Sequence, residues 1–409
     1  MHRVVITGVG VISPVGQSID EYFDGLASAR SGIRPVTPEV YLGAAPLVAG
    51  RVDFDASKFW APHQLSQLDR ATQLALVAAR QAIDDATLQS TDDDAVRTGV
   101  YWGTGLGGAA SIEDSYRELY AGKGRVRPTS VVLAMNNAAA GQISIANGLR
   151  GPVLNVSTAC SSSSAAIGEA YRAIKHGFAD AIVAGGSEAL VTNGNLRAWD
   201  AMQALAHADA NDPAKSCKPF SKNRTGIVLS EGAAAIVLER EDRALARGAT
   251  IYAELAGYGN AADASHISKP NAEGQARAMR AALTDAELSP EDVDYVNAHG
   301  TATAVGDVVE TQAIKHVFGD RARSLPVSST KGVHGHLMGA TGAVELLAAL
   351  SAIQRGVLPP TAHLDVPDPE CDLDYVANVA RRAKADVVMS NSFGFGGMNA
   401  VLVARRFTS

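Results

Sequence analysis

Aromatic residues are scarce in this sequence, at 5% against 39 glycines. Packing must therefore rest on small side chains and close backbone approach, not on an aromatic-lined cleft. Cysteine is scarce too: Cys160, Cys217 and Cys371 make an odd number without CxxC spacing. That points away from a disulfide framework and from a zinc ribbon, and fits a reducing cytoplasm. There is no surplus of basic charge, since the formal net charge is −7, so no field draws in nucleic acid or an anionic membrane. Long apolar runs are missing as well. The most apolar late stretch, AVELLAALSAI, carries Glu345 and is too short to cross a bilayer, so no membrane insertion is expected. The start, MHRVVITGVGVISPVG, lacks a basic segment, an apolar core and a small-residue cleavage site, and reads as a first β-strand and not as a signal peptide.

What is present is a globular composition, 409 residues with 46% hydrophobic and 19% charged, enough to bury a sizeable core. Val- and Ile-rich runs (VVITGV, VRTGVYWG, ADAIVAGG) alternate with Ala-rich helical ones (RATQLALVAARQAIDDA, AAIGEAYRAIKHG), the pattern of an α/β protein. The second half repeats the order of element types, from IYAELAGYG to ADVVMSNS. Two local matches point to internal duplication: AIKHG at 173–177 against AIQRG at 352–356, and EGAAAIVLER against GGMNAVLVARR. The expected division is 1–250 and 251–409, packed as one body.

Four segments carry candidate chemistry. In VLNVSTACSSSSAAIGEAYRAIKHG a β-branched run leads into a helix at Cys160, the setting of a nucleophile elbow. Free N–H groups and the helix dipole there favour a thiolate and can bind an oxyanion. Ser161 to Ser164, poor helix formers, imply a crowded first turn. On this segment alone Cys160 is as readily an inert buried filler. In YVNAHGTATAVGDVVE a strand presents His299 at the carboxyl edge of a sheet, with Thr301 and Thr303 able to bond a polar ligand arm; a structural histidine is the bland alternative. In PVSSTKGVHGHLMGATGAVE, Lys331, His334 and His336 precede a small-residue helix bearing Glu345, so that an imidazole can be kept neutral beside a cation. His334, His336 and His299 could instead form a metal site, although no acidic or thiol ligand is clearly placed. In VVMSNSFGFGGMNAVLV, Phe393 and Phe395 sit on a glycine-rich turn that could gate a pocket and donate N–H groups, or could be two core rings beside a turn. GVGVISPVG lacks the spacing of a dinucleotide loop.

Together and in this order, TACSSS, NAHGTAT with Gly306-Asp307, SSTKGVHGHLMGATGAVE and NSFGFGGMN resemble the β-ketoacyl-[acyl-carrier-protein] synthases, the elongating condensing enzymes of fatty acid synthesis, and their polyketide-synthase relatives. The resemblance runs over nearly the whole chain. It implies a thiolase-like duplicated α/β fold, two pseudo-symmetric βαβαβαββ halves in a five-layered α-β-α-β-α body. It also implies decarboxylative condensation of a Cys-bound acyl chain with malonyl-[acyl-carrier protein]. Cys160 matches the acylated nucleophile, His299 and His336 the histidine pair, Lys331 the supporting lysine, and Phe395 the gating residue whose N–H joins that of Cys160 in an oxyanion hole. Thr301 and Thr303 match pantetheine contacts; Leu106 matches the floor of the acyl pocket, and Phe393 is counted with the substrate-binding residues. Glu345, Asn297, Ser390, Asn391 and Asp307 match a structural network, sometimes built around a monovalent cation; otherwise no cofactor and no metal is implied. The implied partner is an acyl carrier protein, for which Lys123, Arg125 and Arg127 form a candidate patch. The implied assembly is a homodimer, with a heterodimer containing a chain-length-factor-like subunit as the alternative. His334, Met398, Ser221, Thr225 and Ser230 depart from the family pattern, which leaves the acyl substrate open. A non-catalytic pocket-shaping subunit and a coenzyme A-dependent initiator or thiolase are the competing readings.

Overall fold

The computed structural model describes residues 1–36, 47–88, 92–124 and 126–408. Its main elements run through one order twice. The first pass is β1 (Val4–Ile12), α1 (Arg70–Asp85), β2 (Thr98–Gly103), α2 (Ala138–Asn147), β3 (Val153–Val156), α3 (Ser162–Lys175), β4 (Ala181–Glu188) and β5 (Gly232–Arg240). The second is β6 (Ala253–Ala262), α4 (Ala272–Asp285), β7 (Tyr295–Asn297), α5 (Gly306–Phe318), β8 (Val327–Ser328), α6 (Thr341–Arg355), β9 (Val387–Gly394) and β10 (Met398–Arg405). The strands hydrogen-bond in the order β3-β2-β4-β5-β1-β6-β10-β9-β7-β8, a palindrome in which each half is the mirror of the other. The halves meet where Val5 pairs with Glu254 and Ile6 with Ala253, antiparallel.

The abundance of glycine and alanine has a structural cause that is itself duplicated. Gly8 and Gly10 of β1 lie against the backbone of α1 at Ala82 and Ala78, and a Cβ on Gly8 would fall 2.2 Å from the Ala82 carbonyl oxygen. Gly257 of β6 meets Ala282 of α4 in the same way, at 2.3 Å. Asp85 closes the first contact by accepting from the Val9 N–H, and Asp285 closes the second by accepting from the Tyr258 N–H. The AIKHG and AIQRG matches end α3 and α6, and the other matched pair forms β5 and β10.

Helices α1 and α2 cover the outer face of the first half-sheet, and α4 and α5 that of the second. Between the half-sheets lie α3 and α6, packed on each other and on strands of both halves. The result is the five-layered α-β-α-β-α arrangement. A helix in a central layer must be apolar or small all round, and α6 is buried at every residue from Thr341 to Ile353. The two sheet edges differ. At β8 the edge is covered, because Val327 N–H donates to the Asp374 carbonyl. At β3 the edge strand exposes Val153 and Leu154, and Ile145, Val131, Val132 and Met135 are exposed apolar residues in the elements just before it. No described helix is long and apolar enough to cross a membrane.

Candidate active site

Strand β3 ends at Val156, and a one-turn segment, Ala159–Ser161, leads into α3. Ala159 takes φ +53°, a strained value for a residue with a Cβ, costing on the order of 1–3 kcal/mol; it turns Cys160 out of the strand direction. The serines are neither solvated nor free. Ser161 Oγ donates to the Thr158 and Met398 carbonyls, Ser162 Oγ accepts from the Thr158 N–H, Ser163 Oγ accepts from the Ala343 N–H, and Ser164 Oγ meets Ser392 Oγ. They bolt the elbow to α6, β9 and β10. Cys160 is 5% exposed, and the N–H of Phe395 and its own N–H reach the sulfur. Burial pushes the thiol up to about 11 against the pull of Lys331 and these N–H groups. The expected thiolate at a helix start is therefore not the resting form: desolvation outweighs the helix terminus, and the sulfur rests protonated.

The sulfur and one nitrogen each of His299 and His336 all lie within 4.8 Å of one another, and the two rings stand edge to face, 5.4 Å apart. Their tautomers follow from their partners. Nδ1 of His336 receives the Met338 N–H at 3.1 Å and faces Thr341 Oγ1 at 2.9 Å; a backbone N–H can only donate, so Nδ1 is the acceptor and the proton sits on Nε2. Nδ1 of His299 lies 3.4 Å from Lys331 Nζ, which as an ammonium also only donates, so His299 too carries its proton on Nε2. Both imidazoles are held well below the ordinary range, by burial first and then by Lys331. The site thus presents two neutral N–H donors beside a buried thiol. Lys331, fully buried, is anchored by Glu345 and by the His299 carbonyl. The N–H groups of His299 and Gly300 donate to Glu310 at 2.8 and 2.7 Å, which fixes the end of β7. A cysteine with two histidines is also a three-ligand zinc set, but the ammonium of Lys331 against one imidazole opposes a dication there. His334 is outside the cluster: its nitrogens contact the Gly335 carbonyl and Thr330 Oγ1.

Cys160, His299, His336, Thr301, Thr303, Phe393 and Phe395 line one cavity of about 400 Å³. Leu106 does not line it, and is half exposed at 51%. Phe395 stacks on Trp199, 5.7 Å away with planes at 16°. Its turn is tied to the segment facing it: Gly396 N–H donates to the Ile267 carbonyl, Asp263 N–H to Gly397, and Asn399 Nδ2 to Asp263 Oδ1 at 2.7 Å. Asp307 lies deeper, accepting from the Phe220 N–H, and ties α5 to a loop without reaching the cavity lining. Asn297 and Ser390 are register partners on β7 and β9, on which α6 with Glu345 packs. The amide nitrogen of Asn391 turns away from them to Glu310. Arg127 is exposed, whereas Arg125 and the side chain of Lys123 lie outside the described residues.

Sequence reasoning missed Trp199, Asp263, Asn399 and Glu310. Only Glu310 left a local signal, standing one helical turn after Asp307 on α5.

Residues 1–244 match the family model of the β-ketoacyl synthase N-terminal domain, and residues 252–365 that of the C-terminal domain. The chain belongs to the β-ketoacyl synthase family. It is 46% identical over 405 residues to nodulation protein E of Rhizobium meliloti, covering 99% of both chains. It is 42% identical over 409 residues to 3-oxoacyl-[acyl-carrier-protein] synthase 2 of Staphylococcus aureus, covering 99% of this chain and 98% of that one. Among solved structures it resembles a chain of the AntDE:AntF complex, a type II polyketide synthase acyl-carrier protein with its ketosynthase bound to the hexaketide. There the TM-score is 0.91 at 33% identity over the whole of both chains. This β-ketoacyl synthase is accordingly an acyltransferase that performs Claisen condensation in fatty acid or polyketide chain elongation.

Proposed function

We propose that Cys160 holds the growing acyl chain as a thioester and that His299 and His336 generate the carbon nucleophile that takes it. The observation that carries this reading is the convergence of the Cys160 sulfur with His299 and His336, whose Nδ1 atoms face the Lys331 amine and the Met338 N–H and so leave Nε2 to carry the proton. In the first step Cys160 attacks an acyl thioester and its proton leaves with the departing pantetheine thiol. The tetrahedral oxyanion is met by the N–H groups of Cys160 and Phe395, and each such donor is worth about 3 kcal/mol. A malonyl thioester then enters along Thr301 and Thr303. Its carboxylate leaves as carbon dioxide, the bonding pair passes to the thioester oxygen as an enolate, and the two N–H donors stabilise that charge without giving up a proton. The carbanion attacks the acyl carbonyl, the Cys160 sulfur is expelled as thiolate and takes a proton from water, and a β-ketoacyl thioester departs.

The carrier of both thioesters is, in this reading, an acyl carrier protein, as in the AntDE:AntF complex. The enzyme acts as a homodimer, two β3 edges pairing across a two-fold axis. An unpaired edge strand with exposed Val153 and Leu154 is otherwise a liability, and a chain-length-factor-like partner on the same edge is the alternative outcome. Three unpaired, buried cysteines suit the cytoplasm. Buried oxygens of Asn297, Ser390 and Glu345 have no hydrogen-bond partner, a donor set that fits a monovalent cation, whereas Asn391 faces Glu310 on the other side of β9. Bound there, it would supply charge to β7, β9 and α6 and take no part in the chemistry.

Incubation with acyl-carrier thioesters followed by intact mass is expected to show one added acyl group, absent in Cys160→Ala. Wild-type protein that takes up no acyl group at any chain length would end the reading. Size measurement in solution, alone and with candidate partners, tests the assembly.

A further inference from the structure

Arg224 carries a guanidinium to which neither the proposed steps nor the family motifs assign a role, and its side chain is only 5% exposed. It is directed at the loop between β7 and α5. Nε donates to the Thr303 carbonyl at 2.8 Å and Nη2 to the Ala304 carbonyl at 2.7 Å, while Nη1 reaches the Ser221 carbonyl at 2.9 Å and the Asp368 carboxylate. Asp307, 3.8 Å from Nε, takes the Thr303 N–H. Both peptide groups of Thr303 are thus held by two buried side chains. The loop needs such an outside hold: Ala302, between two threonines, has φ +64°, a conformation that persists in a residue with a Cβ only where the surroundings impose it. In that conformation the Thr301 and Thr303 hydroxyls stand 3.0 Å apart on the cavity lining, with the Gly306 N–H donating to Thr303 Oγ1 at 3.1 Å.

The residues that follow Arg224 hold a second stretch of the same lining. Thr225 Oγ1 accepts from the His207 N–H at 3.0 Å. Ile227 N–H donates to the Ala204 carbonyl at 2.9 Å, and the Ile227 carbonyl accepts from the Ala206 N–H at 2.7 Å. Between them the backbones touch, since a Cβ on Gly226 would fall 2.4 Å from the Ala204 carbonyl oxygen. Met202, Gln203, Ala204 and Ile227 line the cavity together with Thr303 and Val305. Met202 and Val305 are more than half exposed, which puts both stretches at the mouth, whereas Cys160, His299 and His336 are buried at the inner end. Residues 224–227 therefore join two parts of the mouth that are remote from each other in sequence.

We propose that Arg224 is a positioning residue for the pantetheine arm of the substrate thioesters. By fixing the carbonyls of Thr303 and Ala304 against the stretch around Ala204, it sets the width of the mouth and the direction of the two threonine hydroxyls. It governs how firmly the arm is held and takes no part in the chemistry at Cys160. The inference rests on the reading that the arm enters along Thr301 and Thr303. Arg224→Lys keeps the positive charge beside Asp368 but replaces a planar fork by a single ammonium, which cannot meet two successive carbonyls and a third from one position.

The test compares acylation of Cys160 by the hexanoyl thioesters of pantetheine and of ethanethiol, followed by intact mass; the second has the same reacting carbonyl and no arm. Arg224→Lys and Thr303→Val are each expected to lower kcat/KM for the pantetheine thioester about tenfold, the scale of one hydrogen bond to the arm, and mostly through KM. The ethanethiol thioester should stay within about threefold of wild type. Asp368→Ala removes the carboxylate that orients the guanidinium; it should move the ratio of the two substrates in the same direction and replaces Arg224→Lys if that variant does not fold. General damage to the fold lowers both rates together and leaves their ratio alone. An unchanged ratio in the folded Arg224 and Asp368 variants, with the loss present in Thr303→Val, overturns the role of Arg224. An unchanged ratio in Thr303→Val overturns the path of the arm along the threonines instead.

Discussion

At Ala159–Ser161, leading into α3, and at Met338–Ala340, leading into α6, the backbone makes the same one-turn segment. Each begins with a non-glycine residue at positive φ, 53° in Ala159 and 48° in Met338. The first presents a thiol; the second presents only N–H groups and, two residues earlier, an imidazole. The surroundings diverge further. The first elbow is bolted by uncharged serines, whereas the second half buries His299, Lys331, His336, Glu310 and Glu345 together. The backbone geometry is thus the same at both elbows, while the side chains differ; in the proposed reaction they divide the labour, with acyl storage on one elbow and charge handling beside the other.

That division is open to direct attack. The largest effect is expected for His299→Ala or His336→Ala, each lowering malonyl decarboxylation by about 10²–10³-fold while acylation of Cys160 stays measurable. Parallel loss of both activities, followed by carbon dioxide release and intact mass, would erase the boundary between the halves. Next comes Lys331→Ala, which leaves the buried Glu345 carboxyl, pushed up to about 8 by burial even beside Lys331, without its partner and should cost about 1–3 kcal/mol in denaturant unfolding. The double change Lys331→Met, Glu345→Gln should recover most of that.

The symmetry itself is sharpened by a matched pair. Gly8→Ala and Gly257→Ala drive a Cβ to 2.2 and 2.3 Å from equivalent carbonyl oxygens, so each should destabilise by about 2 kcal/mol, and by similar amounts. A cost confined to one of them would show that the two strand–helix contacts are not equivalent in solution. The smallest effect concerns pH. A thiol pushed up to about 11 is protonated at neutrality, so its thiolate fraction grows with pH throughout the range below that value. Alkylation of Cys160 by iodoacetamide should therefore rise about tenfold per pH unit between about pH 7 and pH 9. A plateau below pH 8 would return the thiolate to the resting state.

Much of this was legible in the chain. The order of elements, the duplication and the candidates Cys160, His299, Lys331, His336 and Phe395 stand in short segments whose strand, turn and helix patterns are local. Other features were not. His334, one residue from a glycine that precedes His336, is indistinguishable from a ligand until its nitrogens are seen to be taken by Thr330 and Gly335. Leu106, expected at the floor of the acyl pocket, lies half exposed outside the cavity. Trp199 reaches Phe395, and Asn399 reaches Asp263, only through the fold.

By itself, then, the sequence determined which backbone conformations recur and which reactive groups they carry, because turn chemistry and hydrophobic period act over a few residues. Tertiary structure alone decided the protonation of those groups. The Cys160 proton and the Nε2–H tautomers of both histidines depend on burial and on partners brought in by the fold, such as Lys331 on Cys160 and on His299. Desolvation and hydrogen-bond direction are properties of a surrounding volume, and that volume exists only once the two halves have closed on α3 and α6.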